Sequence, residues 1–112
     1  MWSQEHTDVL RVLADVYLEQ DRAGEALILL RALARLAPAE PGVWRALGYA
    51  ALRAGEPEEA LNAADALLRL EAPSADNAPI LLLRAQALRA LGRAGEAQDS
   101  LNRYLQQRPD TA

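Results

Sequence analysis

The sequence contains no cysteine, no lysine and no phenylalanine, and only one histidine and three serines among its 112 residues. Without thiols there can be no disulfide, no thiolate metal site and no cysteine nucleophile, and a lone histidine cannot build a clustered zinc site. Most catalytic chemistries leave with them. β-Forming residues are sparse as well: Val, Ile and Thr number eight in all, against 24 alanines and 21 leucines, so two strong helix formers make up about 40% of the chain. An all-α fold of one small domain, 1–112, is expected. The net charge of -4 and isoelectric point near 4.9 argue against a nucleic-acid ligand, whose affinity rests on Lys and Arg. No stretch approaches the roughly 18 apolar residues of a membrane span. The opening Met1–Leu10 lacks the basic start and apolar run of a secretory signal, so a cytoplasmic protein without membrane insertion is expected. The exclusive use of arginine, alongside abundant Ala and Leu, reads as the bias of a GC-rich genome rather than a choice of guanidinium forks for contacts.

What the sequence does contain is an internal period. Tyr17, Ala23-Gly24-Glu25-Ala26 and Pro38 form a first copy. Trp44, Leu47, Gly48, Gly55, Glu59, Ala60 and Pro73 form a second, and Ala85, Gly92, Glu96, Ala97 and Pro109 a third. Ala26 and Ala60 are 34 residues apart, and Ala60 and Ala97 are 37 apart. Small Gly48 and Ala85, facing small Ala26, Ala60 and Ala97, suit pairs of closely packed helices, and the prolines stop each second helix. The pattern predicts helices over 4–20, 24–37, 41–54, 57–71, 77–91 and 94–107. Pro41, Pro57 and Pro79 belong in first turns, where a missing N–H costs nothing. Ser74, just before the inserted residues 75–77, and Asp76 within them are candidate N-caps that would start the third hairpin early.

Catalytic and phosphate-binding readings fail on the same residues. Glu56, Glu58 and Glu59 cluster at a helix start, where dipole and solvent account for them. His6 reads as a surface residue near the terminus. Gly42-Val43 and Gly92-Arg93 have no Gly-rich cradle and no P-loop lysine. No cofactor and no metal are expected.

A period of 34 residues carrying Trp44-x-x-Leu47-Gly48, then Gly55, Glu59-Ala60 and a closing proline resembles the tetratricopeptide repeat. Laid on that pattern the repeats run 7–40, 41–74 and 78–111. Departures are Leu10 and Leu81 in place of Trp, Arg84 in place of Leu, and Pro73 one residue late. Arg84 leaves the register of its helix open by a residue. The resemblance implies three tandem helix-turn-helix units stacked as a short right-handed solenoid, whose inner wall binds a protein or helical peptide. By the family's groove positions, that wall carries Asp8, Arg11, Asp15, Leu18 and Glu19 in repeat one. Repeat two contributes Gly42, Arg45, Tyr49, Leu52 and Arg53, and repeat three Pro79, Leu82, Gln86, Arg89 and Ala90. Tyr49, Arg45, Arg53 and Arg89 are the expected hot spots. The carboxylate clamp that holds chaperone tails is missing, because Arg11, Asp15, Ala46, Pro79 and Leu83 stand at its positions.

Two further surfaces follow from helical spacing. Leu10, Leu13 and Tyr17 make one stripe on the first helix; Val9, Val12 and Val16 make a second that no earlier repeat covers. A dimer mate, a partner helix or residues 1–6 are the three candidates for covering those valines. Ile28, Leu29, Leu30, Leu33 and Leu36 leave helix 24–37 little polar face, whereas helix 94–107 has one apolar stripe, Ala97, Leu101, Tyr104 and Leu105, as a terminal cap should. Size, repeat number and the terminal Tyr104-Leu105 segment resemble the small tetratricopeptide chaperones of bacterial type III secretion, the Y-type component and the G-type needle-subunit chaperone. That resemblance implies a non-enzymatic chaperone clasping an amphipathic helix of an export subunit. The alternative is a generic scaffold or adaptor.

Overall fold

The computed structural model describes residues 3–107, and Pro109 of the third repeat lies outside them. Six helices and no strand occur among the described residues: α1 (Gln4–Glu19), α2 (Ala23–Leu36), α3 (Pro41–Arg53), α4 (Pro57–Leu70), α5 (Pro79–Ala90) and α6 (Ala94–Gln107). Consecutive pairs form three hairpins, α1 with α2, α3 with α4 and α5 with α6. The hairpins stack because α2 packs on α3 and α4 on α5, while α3 also touches α1 and α5. First helices therefore lie side by side, second helices sit behind them, and the solenoid measures 43 × 25 × 24 Å.

The same turn is built three times. Asp21, Gly55 and Gly92 occupy equivalent positions and have φ of 59°, 78° and 76°. Beyond each, the backbone N–H of Arg22, Glu56 and Arg93 donates to the carbonyls of Tyr17, Ala51 and Leu88 at 2.8, 2.8 and 2.9 Å. This is the six-to-one closure of a helix ending in a left-handed residue. Glycine takes that conformation freely; Asp21 takes it as one of the few side chains that tolerate it.

Pro41, Pro57 and Pro79 open α3, α4 and α5 as expected. The capping expectation for α5 does not hold: no side chain caps it, and neither Ser74 nor Asp76 starts it early. The insertion instead closes on itself around buried Asn77. Its Oδ1 accepts from the Ser74 N–H at 2.8 Å, and its Nδ2 donates to the Ala72 carbonyl at 3.0 Å. At the other end, Ser3 and His6 cap α1 reciprocally, with the His6 N–H donating to Ser3 Oγ and the Ser3 N–H to His6 Nδ1. His6 is thus a capping residue.

The core runs the length of the stack, from Leu30 and Leu33 through Val43 and Leu67 to Leu81 and Leu88, all fully buried. Gly48 lies at the contact between α3, α4 and α5, where a Cβ would sit at ordinary packing distance, 3.4 Å from Leu83 Cδ2 and 3.6 Å from Ala63 Cβ. Arg84 is accommodated by an ion pair. Its Nε donates to Asp65 Oδ1 at 2.7 Å, which lets a cation stand on the α4 side of α5. Trp44 fixes the loop before α3 through an indole N–H donated to the Pro38 carbonyl at 2.7 Å. Buried Ser100 donates to the Leu81 carbonyl at 2.7 Å and ties α6 to α5.

Candidate functional site

Side-by-side packing of α1, α3 and α5 leaves a groove of about 700 Å³ along their common face. Residues three and four apart on a helix share a face, so Arg11, Asp15 and Leu18 on α1, Arg45, Tyr49, Leu52 and Arg53 on α3, and Leu82 and Gln86 on α5 all line it. Twelve of the fifteen wall positions named above line the groove. Asp8, Arg89 and Ala90 do not; Arg89, one turn beyond Gln86, is exposed and outside the lining. Sequence reasoning missed Ile80 and Leu83, Asp76 and Asn77, and also Ala46, all of which line the groove. The first pair was obscured by the register question at Arg84, and the second lies in an insertion to which the repeat pattern assigns no position.

The electrostatics differ from an Arg-rich wall. Arg53 donates to Tyr49 Oη at 3.3 Å and to Asp21 Oδ1 at 2.5 Å, with its guanidinium 5.7 Å from the Tyr49 ring centroid. Tyr49 first, and Asp21 after it, hold Arg53 in its charged form more firmly than usual against the opposing effect of desolvation. Arg45 Nη2 lies 3.5 Å from Glu71 Oε1. That is an ion-pair distance without hydrogen-bond geometry, and the oxygen has no other partner. Arg11 is the groove cation with no ion pair among the described residues. Its guanidinium lies against Gly42, in the space a β-carbon would fill. Asp15, Glu19 and Asp76 add three carboxylates. The groove therefore offers an apolar floor, a half-exposed Tyr49, one uncommitted cation and a partly acidic rim.

Among the described residues no group of three or more His, Asp or Glu side chains could hold a metal, and no helix is long and apolar enough to cross a membrane. Val9, Val12 and Val16 are 66%, 61% and 39% exposed and are not part of the groove's lining. A smaller hollow of about 350 Å³ beside them is lined by Leu13, Tyr17, Glu25, Ile28, Leu29 and Ala32.

A family model described as tetratricopeptide repeat matches residues 2–41 and 45–112. No match was found among curated proteins. Among solved structures, a MamA point mutant aligns with a TM-score of 0.84 and 21% identity, over 96% of this chain and 77% of that one. A second MamA point mutant aligns with a TM-score of 0.80 and 23% identity, over 89% of this chain and 53% of its own. MamA AMB-1 gives 0.80 and 23%, over 89% and 57%. The chain thus spans little more than half of these last two, and the likeness is one of fold.

Proposed function

Because the chain belongs to the tetratricopeptide-repeat family, we propose that the groove of α1, α3 and α5 is a protein-binding site that seats one segment of a partner. The observation that carries this reading is the convergence of an apolar floor, Tyr49 and Arg11 in a single concave site. Clefts that combine apolar surface with a few placed polar groups are where proteins take ligands, and aromatic and Arg side chains are over-represented among binding hot spots. A helix is about 10 Å across, so a volume of 700 Å³ takes roughly two of its turns. Binding, not catalysis, is the chemistry such a groove supplies.

A scaffold or adaptor that brings a partner into a complex is the broad form of the proposal. The narrower form is a cytoplasmic chaperone that masks an amphipathic helix of a small type III secretion subunit. It draws on chain size and repeat number, and the MamA likeness lends it nothing. Co-purification from the native host, read by mass spectrometry, tests both. The wild-type chain should retain one protein that Tyr49→Ala with Leu82→Ala loses at unchanged circular dichroism. A partner retained equally by the variant would move the site elsewhere, and a small secreted subunit as the partner would select the narrower form.

A further inference from the structure

The three hairpins can be compared with one another. Val9, Val12 and Val16 of α1 stand at the repeat positions of Val43, Ala46 and Ala50 in α3 and of Ile80, Leu83 and Ala87 in α5. In the later repeats five of these six positions are buried, Val43, Ala50 and Ala87 at 0% exposure, Ile80 at 3% and Leu83 at 9%, while Ala46 is half-buried; Ala46, Ile80 and Leu83 also border the groove. Against these helices packs the second helix of the preceding hairpin, α2 on α3 and α4 on α5. On α1 the same surface is open, and it carries larger side chains than Ala46 and Ala50. The neighbouring helix extends the patch. Ile28 is 67% exposed where the other hairpins have Asn62 and Asp99, and it lines the hollow with Leu13 and Leu29.

The rim of this patch is acidic. Glu5, Asp8, Asp15 and Glu19 are exposed and lie three or four residues from one of the valines, on adjoining parts of the helix surface; Asp15 and Glu19 are shared with the groove, and Arg35, seven residues from Ile28, is an exposed cation on α2. The cation of α1, Arg11, is turned onto Gly42. Arg22, at the hollow, is engaged by Tyr17, 4.8 Å from its ring centroid, and by Glu25 at 3.7 Å.

We infer that the outer face of the first hairpin is a second docking surface, bordering the groove at Asp15 and Glu19, and that it takes an amphipathic helix of another protein whose apolar stripe is flanked by basic residues. It docks as α2 docks on α3. A second copy of this chain is a poor occupant, because the helix it would offer end to end is α6. There Gln98 is exposed at the position where Leu27 and Leu61 are buried, and Glu96 and Asp99 would meet an acidic rim. Apolar contact supplies affinity in such pairings, and charge complementarity supplies choice of partner.

The test uses the full chain and two synthetic helical peptides with one leucine stripe, flanked by arginine in one and by glutamate in the other. The arginine-flanked peptide should bind at least about tenfold more tightly, a margin that higher salt reduces. Glu5→Arg with Asp8→Arg should invert the preference. Val12→Ser with Val16→Ser, at exposed sites that leave folding intact, should weaken binding about tenfold, whereas Tyr49→Ala should leave it unchanged. Equal binding of both peptides would overturn the proposal, as would loss of binding in Tyr49→Ala with the valine variant unaffected. So would wild-type self-association in sedimentation that the valine variant abolishes, since the occupant would then be a second copy.

Discussion

Arg53, the last residue of α3, reaches back to the turn of the preceding hairpin and donates to Asp21, the single non-glycine residue with positive φ among those described. One side chain thus joins two repeats at the mouth of the groove, holding Tyr49 on its other side. Asp21 is 86% exposed at its side chain, so the ion pair is screened and contributes little to stability. The backbone dominates. Asp21→Gly should leave the melting temperature unchanged or slightly higher, and Asp21→Val should destabilise by about 1 to 2 kcal/mol because a β-branched residue is strained at this φ. Urea denaturation of the two variants checks the order, and a stable valine variant would refute it.

Gly48 gives a second contrast between small and large. The nearest atoms to an added Cβ are at 3.4, 3.6 and 3.7 Å, ordinary contact distances, and alanine is the better helix former by about 0.5 to 1 kcal/mol. Gly48→Ala should therefore stabilise the protein modestly. Gly48→Leu, and equally Ala60→Leu at a fully buried site, should overpack the hairpin and cost about 1 to 3 kcal/mol. Thermal unfolding of the three variants decides, and leucine variants as stable as wild type would contradict the packing described.

Arg84 and Asp65 are partly buried, with side-chain exposures of 18% and 36%. Replacing Arg84 by the leucine expected of the repeat removes a charge-assisted hydrogen bond and strands the carboxylate, at a cost of about 1 to 2 kcal/mol. The double change Arg84→Leu with Asp65→Ala should cost less than the sum of the single changes, with a coupling of about 1 kcal/mol. Strict additivity in a double-mutant cycle would mean that the pair is incidental.

The fold was legible because its determinants are local and recur. Small residues at Gly48 and Ala60, the turn glycines Gly55 and Gly92 and the helix-opening prolines each carry their meaning at a fixed interval. Asp21 shows where that legibility stops, since a turn built on aspartate has no glycine to announce it. Asn77 folds its insertion through contacts outside any period, so the expected caps at Ser74 and Asp76 did not form. Groove positions followed from the resemblance to the repeat family, but their charge state did not. Whether Arg45, Arg53 or Arg11 is committed depends on Glu71, Asp21 and Gly42, which lie in other elements. Arg89 shares the face of Leu82 and Gln86 by spacing yet lies beyond the groove's lining, since spacing along one helix does not say where a groove formed by three helices ends.

The convex side offers the clearest pH dependence. Arg31 of α2 grips Glu59 of α4 with both arms of its fork, Nε to Oε2 at 2.8 Å and Nη2 to Oε1 at 2.7 Å, and so links the first hairpin to the second. That hydrogen bonding first, and the charge of Arg31 as well, hold the Glu59 carboxyl below its usual range despite some desolvation. A carboxyl with a lowered folded-state pKa leaves the unfolded chain binding more protons, so stability rises with pH across the interval between the two values. The contribution is fully present above the unfolded value of about 4.3 and is lost as pH falls through the lowered folded value. Glu96, lowered in the same sense by Arg93, bends the wild-type curve over the same range. The informative quantity is therefore the difference between wild type and Glu59→Gln. The variant should melt a little lower at pH 7, keep a constant gap down to about pH 5, and converge on wild type below the usual carboxylate range. Raising the salt concentration should shrink the gap at neutral pH, since the pair is partly exposed. A gap that persists unchanged into strong acid would show that the difference arises from packing at residue 59 and not from its charge.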